Sequence, residues 1–557
     1  PGGELPTIPE GGTSKSKTAE QLDENFKSQV ALSLPSAEEQ LVSDVVLVLD
    51  KSTSMGLKEK ALEMLQNLKK EVQEKGAKVK VGVVLFNKEA HTDGFMDLET
   101  QYEAIEAAIC REIKSGTNLH AGILAGKSML DQDTGVADER KTLVVVSDGI
   151  TYMFNENPTA VAWGFMADSP KHFAGPDNWN SKYGNNQAPA DWNAWLTGIE
   201  ARLSEQKDTH DYPYGTEPDV SLITPVEEAG KYVNSIDKAL YLSYEAYAQA
   251  ASEGYHCYAM PITPLGTASN YEWGMSFMRY LANGKQVSFD SIKNDILYAV
   301  DKGSVVKDYM GYVKEDYNFD FDHLDQLTVG GKALSMYQEG NTWYFGDGEP
   351  GPQNYRFKVV YDAGNKAETE MFTWYIEEPV SNFAPVQLTY TVKLINPKTA
   401  DGTYGKYDRD GSQHYEGLYT NQEAVLYPVD SRGNEYRSEE FAKPTVSYVV
   451  EHGTPEPGPD PTPTPNPDNN GGGSHGGHGG GSSSGSKKSS TTTASGPAAQ
   501  PTEPVTPVVP EPQPVVPAEG LPKTGDTDQM DVPMALLAIG MMAAAYVLMT
   551  GRKKTEE

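Results

Sequence analysis

The chain of 557 residues carries 46 Lys plus Arg against 79 Asp plus Glu, a formal net charge of -33, and two cysteines. That length is more than a single core fills and points to three or four domains. The acidity makes nucleic acid and anionic lipid poor partners. Cys110 lies in AIEAAIC and Cys257 in YHCYAMPI, so a disulfide framework is excluded and buried free thiols are expected.

In chain order, residues 1 to about 25 are polar and rich in Gly, Pro and Lys, a composition expected to be disordered or loosely docked. The opening PGGELPTIPEGG lacks the basic start and apolar core of a secretory leader, so a leader is expected to have been removed or left out. Val30, Leu32 and Leu34 alternate with Ala31 and Ser33 until Pro35, which predicts one half-buried strand.

Asp44 to Gly56 reads DVVLVLDKSTSMG. Val45 to Leu49 is an unbroken apolar run, as in a parallel strand buried on both faces. Asp50, Ser52 and Ser54 follow at once, at the carboxyl end where open α/β sheets bind ligands. All three are hard oxygen donors of the type Mg²⁺ takes. Leu57, Ala61, Leu65, Leu68 and Val72 recur at helical spacing, and Lys80 to Phe86 is the next strand. Tyr102 to Lys114 predicts a helix with Ile105, Ile109 and Ile113 on one face. It delivers the loop Ser115-Gly116-Thr117-Asn118, and Leu119 to Leu130 is a further helix. Its Gly126-Lys127-Ser128 is no phosphate loop, because the first Gly of that motif falls on Ala121 and the triplet lies inside the helix. Thr142 to Val146 is a second buried run, ending in Ser147-Asp148-Gly149.

From about 152 to 232 the periodicity is lost and the chain becomes aromatic and Pro-broken. This long insertion emerges beside Asp148, so Trp163, Trp179, Trp192 and Trp195 are candidate ligand contacts. The alternative is that they form a small core for the insertion itself. The αβ pattern returns with a helix from Ser235 to Glu253, a strand from Tyr255 to Ile262, a helix from Tyr271 to Leu281 and a last helix around Ile292 to Val300. The domain thus spans 44–303.

These stretches resemble the von Willebrand factor type A family, whose metal-ion-dependent adhesion site is D-x-S-x-S, a distant Thr and a distant Asp after a strand. Asp50, Ser52, Ser54, Thr117 and Asp148 occupy those positions. The resemblance implies a doubly wound, Rossmann-like α/β domain holding Mg²⁺ (or Mn²⁺ or Ca²⁺). Two carboxylates and three neutral hydroxyls leave such an ion under-neutralised, so an acidic residue of a host or matrix protein would complete its coordination. No His or Glu accompanies the set as a general base, so no enzyme is expected. A resemblance to pilus-tip adhesins with a type A domain inserted into a stalk further implies that the strand at 30–34 joins the β-domain after residue 304.

Residues 304–380 and 381–451 read as two Ig-like β-sandwich stalk domains. The first carries a hairpin from Tyr355 to Tyr361 and Thr369 to Ile376, and the second opens on Val386, Leu388, Tyr390, Val392 and Leu394. Surface adhesins of the kind the chain resembles often carry an amide crosslink from a Lys to an Asn, which would need the Lys buried. Lys27 and Lys393 are out of phase with the apolar faces, so the bond is left open and unassigned. Residues 452–520 are a Pro/Gly/Ser-rich linker. Leu521-Pro522-Lys523-Thr524-Gly525 resembles the L-P-x-T-G sorting signal of Gram-positive bacteria. It precedes an uncharged stretch, 532–550, of roughly 28 Å as a helix and a basic tail, so a C-terminal transmembrane helix is expected in the precursor. This implies that a sortase cuts after Thr524 and joins it to a peptidoglycan or pilin amine. The expected protein is therefore a cell-wall- or pilus-anchored adhesin. The alternatives are a structural pilus subunit or a surface enzyme using the insertion.

Overall fold

In the computed structural model, residues 8, 10–51, 55–75, 77–113, 116–155, 161–166, 169–173, 187–205, 211–213, 233, 235–262, 272–365 and 368–451 are described. Ser52, Ser54, Trp179, the linker, Leu521 to Gly525 and the 532–550 stretch lie outside them. Among the described residues no helix is long and apolar enough to cross a membrane.

The Val42–Asp50 strand is the centre of a five-stranded sheet because its side chains are apolar on both faces. Val45, Val46, Leu47 and Val48 have no exposed surface. The sheet runs His256–Pro261, Lys141–Ser147, Val42–Asp50, Lys78–Phe86, Ala90–Asp97, parallel except for the last strand. The Met55–Lys75, Tyr102–Cys110 and Phe289–Leu297 helices cover one face, with Leu65, Ile105 and Ile292 packed on Val45 and Leu47. Helices Leu119–Gln132, Ser235–Ser252 and Glu272–Leu281 cover the other, with Ile123, Leu240 and Phe277 in one cluster with Val46 and Val48. This is the doubly wound arrangement. The antiparallel edge strand Ala90–Asp97, AHTDGFMD, gave no sequence signal because its few apolar side chains do not alternate with the polar ones and none is fully buried.

The insertion is more regular than its composition predicts. Val161–Met166 pairs antiparallel with Phe154–Asn155, Ser169–Phe173 and Asp211–Pro213, and Trp192–Glu205 is a helix.

Two separate sandwiches were expected after residue 304, and the structure corrects this to one body. Its first sheet joins Ser16–Ala19, Lys27–Leu34, Val386–Leu394 and Tyr317–Val329. Its second runs Ser335–Glu339, Thr342–Gly346, Phe357–Asp362, Met371–Ile376, Val305–Met310 and Asn421–Tyr427. Each sheet draws strands from both halves, and Leu32, Leu388, Tyr390, Val306, Trp374 and Leu426 share one core. A small third sheet joins Gly402–Asp408, Thr445–Val450 and Leu418–Tyr419.

Ser16–Ala19 also corrects the reading of residues 1 to 25 as loose, because polar composition conceals a strand whose Lys17 side chain is fully buried. Lys27 pairs with Asp322 at 2.8 Å and Lys393 is exposed. Cys110 and Cys257 are free and half-buried.

The α/β domain is seated on this body by short contacts. Tyr298–Val300 pairs with Val380–Ser381. The Arg140 guanidinium donates to Val42 O at 3.0 Å and Asn382 O at 2.8 Å. Asn382 Nδ2 in turn donates to Ile296 O at 2.9 Å.

Leu32 has no exposed surface and lies opposite Leu388. Leu32→Ala is expected to destabilise the β-body by ~2–5 kcal/mol, read from the urea midpoint. An unchanged midpoint would mean that the N-terminal strand is not part of this core.

Candidate metal centre

Asp50 closes the central strand, and Lys141–Ser147 pairs beside it with Leu49 opposite Val146. The two strands therefore end side by side, with Ser147 and Asp148 next to Asp50. The Ser147 hydroxyl donates to Asp50 Oδ2 at 2.8 Å and accepts from the Gly149 N–H at 3.1 Å. The Ile150 N–H donates to Asp148 Oδ1 at 2.9 Å. Both carboxylates are withdrawn from water, Asp50 1% and Asp148 6% exposed. Burial first, and the neighbouring charge of Asp50 second, hold the Asp148 carboxyl well above the usual carboxylate range.

Thr117 arrives from another side of the sheet and is half-buried. It follows Gly116, whose φ of +119° suits glycine, and precedes Asn118, whose Oδ1 accepts from the Ala121 N–H at 2.9 Å and so caps the Leu119–Gln132 helix. The Asn118 Nδ2 donates to Lys88 O and Asn155 Oδ1, tying this loop to the insertion. Tyr152 joins the parts. Its phenol is hydrogen-bonded by Thr117, and burial, with Asp50 nearby, pushes its pKa up to about 12. His120 is buried and lowered to about 4, so it is neutral, and its Nδ1 accepts from the Asn155 N–H at 3.1 Å. Thus Asp50, Thr117 and Asp148 meet at one edge. Ser52 and Ser54 belong to the undescribed turn.

Tyr152 and Ser147 are the residues that sequence reasoning missed. In the sequence Ser147 is only part of Ser147-Asp148-Gly149, and position 152 only marks the start of the insertion. Of the four tryptophans, Trp192 is 7% exposed. Its ring lies 5.4 Å from Trp195, 5.4 Å from Trp273 and 5.3 Å from Phe277, and its Nε1 donates to Ser276 Oγ at 3.0 Å. Trp192 is therefore a packing residue that fixes the insertion helix on Glu272–Leu281, rather than an exposed anchor. Trp195 is half-buried beside it. Trp163 lies in the Val161–Met166 strand, opposite Tyr212.

The donor set suits a small hard cation. Two buried carboxylates repel one another and a hydroxyl stands beside them; among the described residues no group of three or more His, Cys, Asp or Glu that could hold a metal ion is found.

Residues 45–150, which run from the central strand past Asp148, match the family model of the von Willebrand factor type A domain. Among solved structures, the chain is similar to the pilus adhesin SpaC from Lactobacillus rhamnosus GG in its open conformation. Identity is 16%, over 77% of this chain and 47% of that one, with a TM-score of 0.32. It is also similar to the three N-terminal domains of the type V pili tip protein Mfa5 from Porphyromonas gingivalis, at 15% identity over 79% of each chain and a TM-score of 0.27. A third likeness is the pilus adhesin RrgA from Streptococcus pneumoniae, at 12% identity over 78% of this chain and 65% of that one, with a TM-score of 0.24. This chain spans about half the length of SpaC. Among curated proteins there is no match. At such TM-scores the fold rests on the chain's own sheet order and on the type A domain at 45–150.

Two outcomes follow from the geometry. Gly149 has φ +74°, and a Cβ there would stand 2.1 Å from Gly274 O. Gly149→Ala is expected to lower stability by at least ~1–2 kcal/mol, seen as a drop in Tm. No drop would mean that the loop does not pack so closely. Asp148 has its folded pKa raised above the unfolded value. The cost of its burial is therefore absent below the ordinary carboxylate pKa and grows as pH rises towards the raised one. Metal-free protein is expected to lose stability over that rise, and Asp148→Asn to flatten the profile. Equal pH slopes in the two proteins would contradict the arrangement.

Proposed function

We propose that the protein is a cell-surface adhesin that captures a host or matrix protein through a divalent cation held by Asp50, Ser52, Ser54, Thr117 and Asp148. The pair of buried carboxylates at adjacent strand ends carries this reading. Such a pair is unfavourable by itself and becomes favourable with a cation between charge and solvent. A bound Mg²⁺, or Mn²⁺ or Ca²⁺, would neutralise the pair and offer a coordination position to an acidic side chain of the partner.

The chain's own residues supply the rigidity. Ser147 fixes one oxygen of Asp50, the Ile150 N–H fixes one of Asp148, and Tyr152 holds Thr117. These supports reduce the ordering that ligand capture would otherwise require. Attachment follows from the sequence of the other end. A sortase would cut after Thr524 in Leu521-Pro522-Lys523-Thr524-Gly525 and join the protein to a peptidoglycan or pilin amine, with residues 452–520 as the wall-spanning linker.

Titration calorimetry of the full chain with MgCl₂ tests the cation. Uptake of one ion is expected, weakened at least about tenfold in Asp50→Ala, a loss that even outer-shell partners of metals commonly cause. Binding to immobilised matrix proteins is expected to disappear with chelator and in the same variant, while the circular dichroism spectrum is kept. Wild-type protein that takes up no divalent ion would end the proposal.

A further inference from the structure

A cavity of about 280 Å³ opens at the carboxyl edge of the α/β sheet, lined from the Met55–Lys75 helix, the end of the Tyr102–Cys110 helix and the strand between them. It adjoins the metal centre without sharing a donor with it. Leu85 in its wall lies opposite Leu49, and Lys51, also in the wall, directly follows Asp50. The charge of Lys51 acts on the Asp148 carboxyl.

In a chain of net charge -33, this wall holds three cations and one acid. Arg111 is already paired with Asp93 at 2.8 Å, and the acid, Glu112, is exposed, where water screens it. Lys58 differs from both. It is 8% exposed, and its Nζ has no hydrogen bond or ion pair among the described residues. Lysines are almost never buried so deeply unless paired. Lys58 also stands in the first turn of a 21-residue helix, whose positive end opposes a cation. Burial and the helix dipole together leave its amine short of an anion. The remaining wall is apolar, formed by Leu85, Ile113 and the free Cys110. A water occupies about 30 Å³ of liquid, so the volume suits one side chain and not a whole ligand. An apolar wall with a cation at one point fits a carboxylate on a methylene stem better than a bare sulfate or phosphate.

We propose that this cavity takes a second carboxylate side chain of the partner, so that the protein recognises a segment carrying two acidic residues, one for the cation and one for Lys58. This rests on the cation reading given above. Lys58 donates to the second carboxylate in a site withdrawn from water, where a charge-assisted hydrogen bond is strong. Lys51, which lines the cavity and acts on Asp148, draws both acids to the same edge. A cation alone accepts any accessible acid, whereas two anchors at a fixed separation select among acidic segments.

The probes are fluorescein-labelled tetraglutamate and a labelled tetrapeptide with one Glu among glycines, each titrated into the full chain in MgCl₂. Lys58→Met is expected to weaken tetraglutamate at least about tenfold, the size of one charged hydrogen bond, and the one-Glu peptide far less. Lys58→Arg should keep most of the tetraglutamate affinity. Lys60→Met, which removes an exposed charge from the same helix, should keep all of it. Alkylation of Cys110 by iodoacetamide locates the occupancy in the wild-type protein, where tetraglutamate should slow the reaction and the one-Glu peptide should not. Equal loss of both peptides in Lys58→Met, or a Cys110 that tetraglutamate leaves unprotected, would overturn the proposal. So would a heparin tetrasaccharide that binds through Lys58 more tightly than tetraglutamate. Mg²⁺ uptake is measured separately by calorimetry without peptide, and its absence would end the cation reading and the two-acid recognition with it.

Discussion

The parallel pairing of Val42–Asp50 with Lys141–Ser147 is the constraint from which the candidate site follows. With Leu49 opposite Val146, the last residues of both strands reach the same edge, and two carboxylates meet there. A slip of one residue would send the side chains of one strand to the other face, taking Val145 and Val146 off their helices and Asp148 away from Asp50. The apolar packing that makes such a slip costly also forces like charges together. Stability at the sheet centre thus sustains unfavourable electrostatics at its rim, and the rim is where a cation has most to offer.

The same logic extends to how the domain is mounted. Chain leaves the β-body after Leu34 and returns at Tyr298, and Arg140 and Asn382 fasten the base of the sheet to that body. These contacts involve the amino-terminal side of the parallel strands, the pole opposite Asp50 and Asp148. The edge carrying Asp50 and Asp148, and the insertion beside it, therefore lie at the end of the sheet away from these contacts with the β-body.

What the sequence disclosed and what it withheld divide along physical lines. Val45–Leu49 and Thr142–Val146 were legible because a strand buried on both faces is apolar throughout, and Asp50, Thr117 and Asp148 because their types stand out at the ends of such elements. The alternation at Val30, Leu32 and Leu34 was legible for the same reason, since one face meets a core. Lys17 was not, because a charged residue in a polar stretch reads as solvated unless its distant partners, Asp308 and Tyr390, are known. The support of Thr117 by Tyr152 and the burial of Trp192 against Trp273 also depend on contacts between segments far apart in sequence. The two supposed sandwiches merged because strand signals carry no information about which strand is the neighbour.

The split body has a consequence for how the protein comes to be made. Strands Ser16–Ala19 and Lys27–Leu34 are synthesised first, yet Lys27 finds its partner only when Lys393 has been added. At about 5–20 residues per second that is a delay of roughly 20–70 s. During it an apolar strand waits with open edges while the entire α/β domain is produced and folds behind it. Such a waiting segment is open to wrong pairings, so the nascent chain has reason to need a holding factor that the finished protein does not.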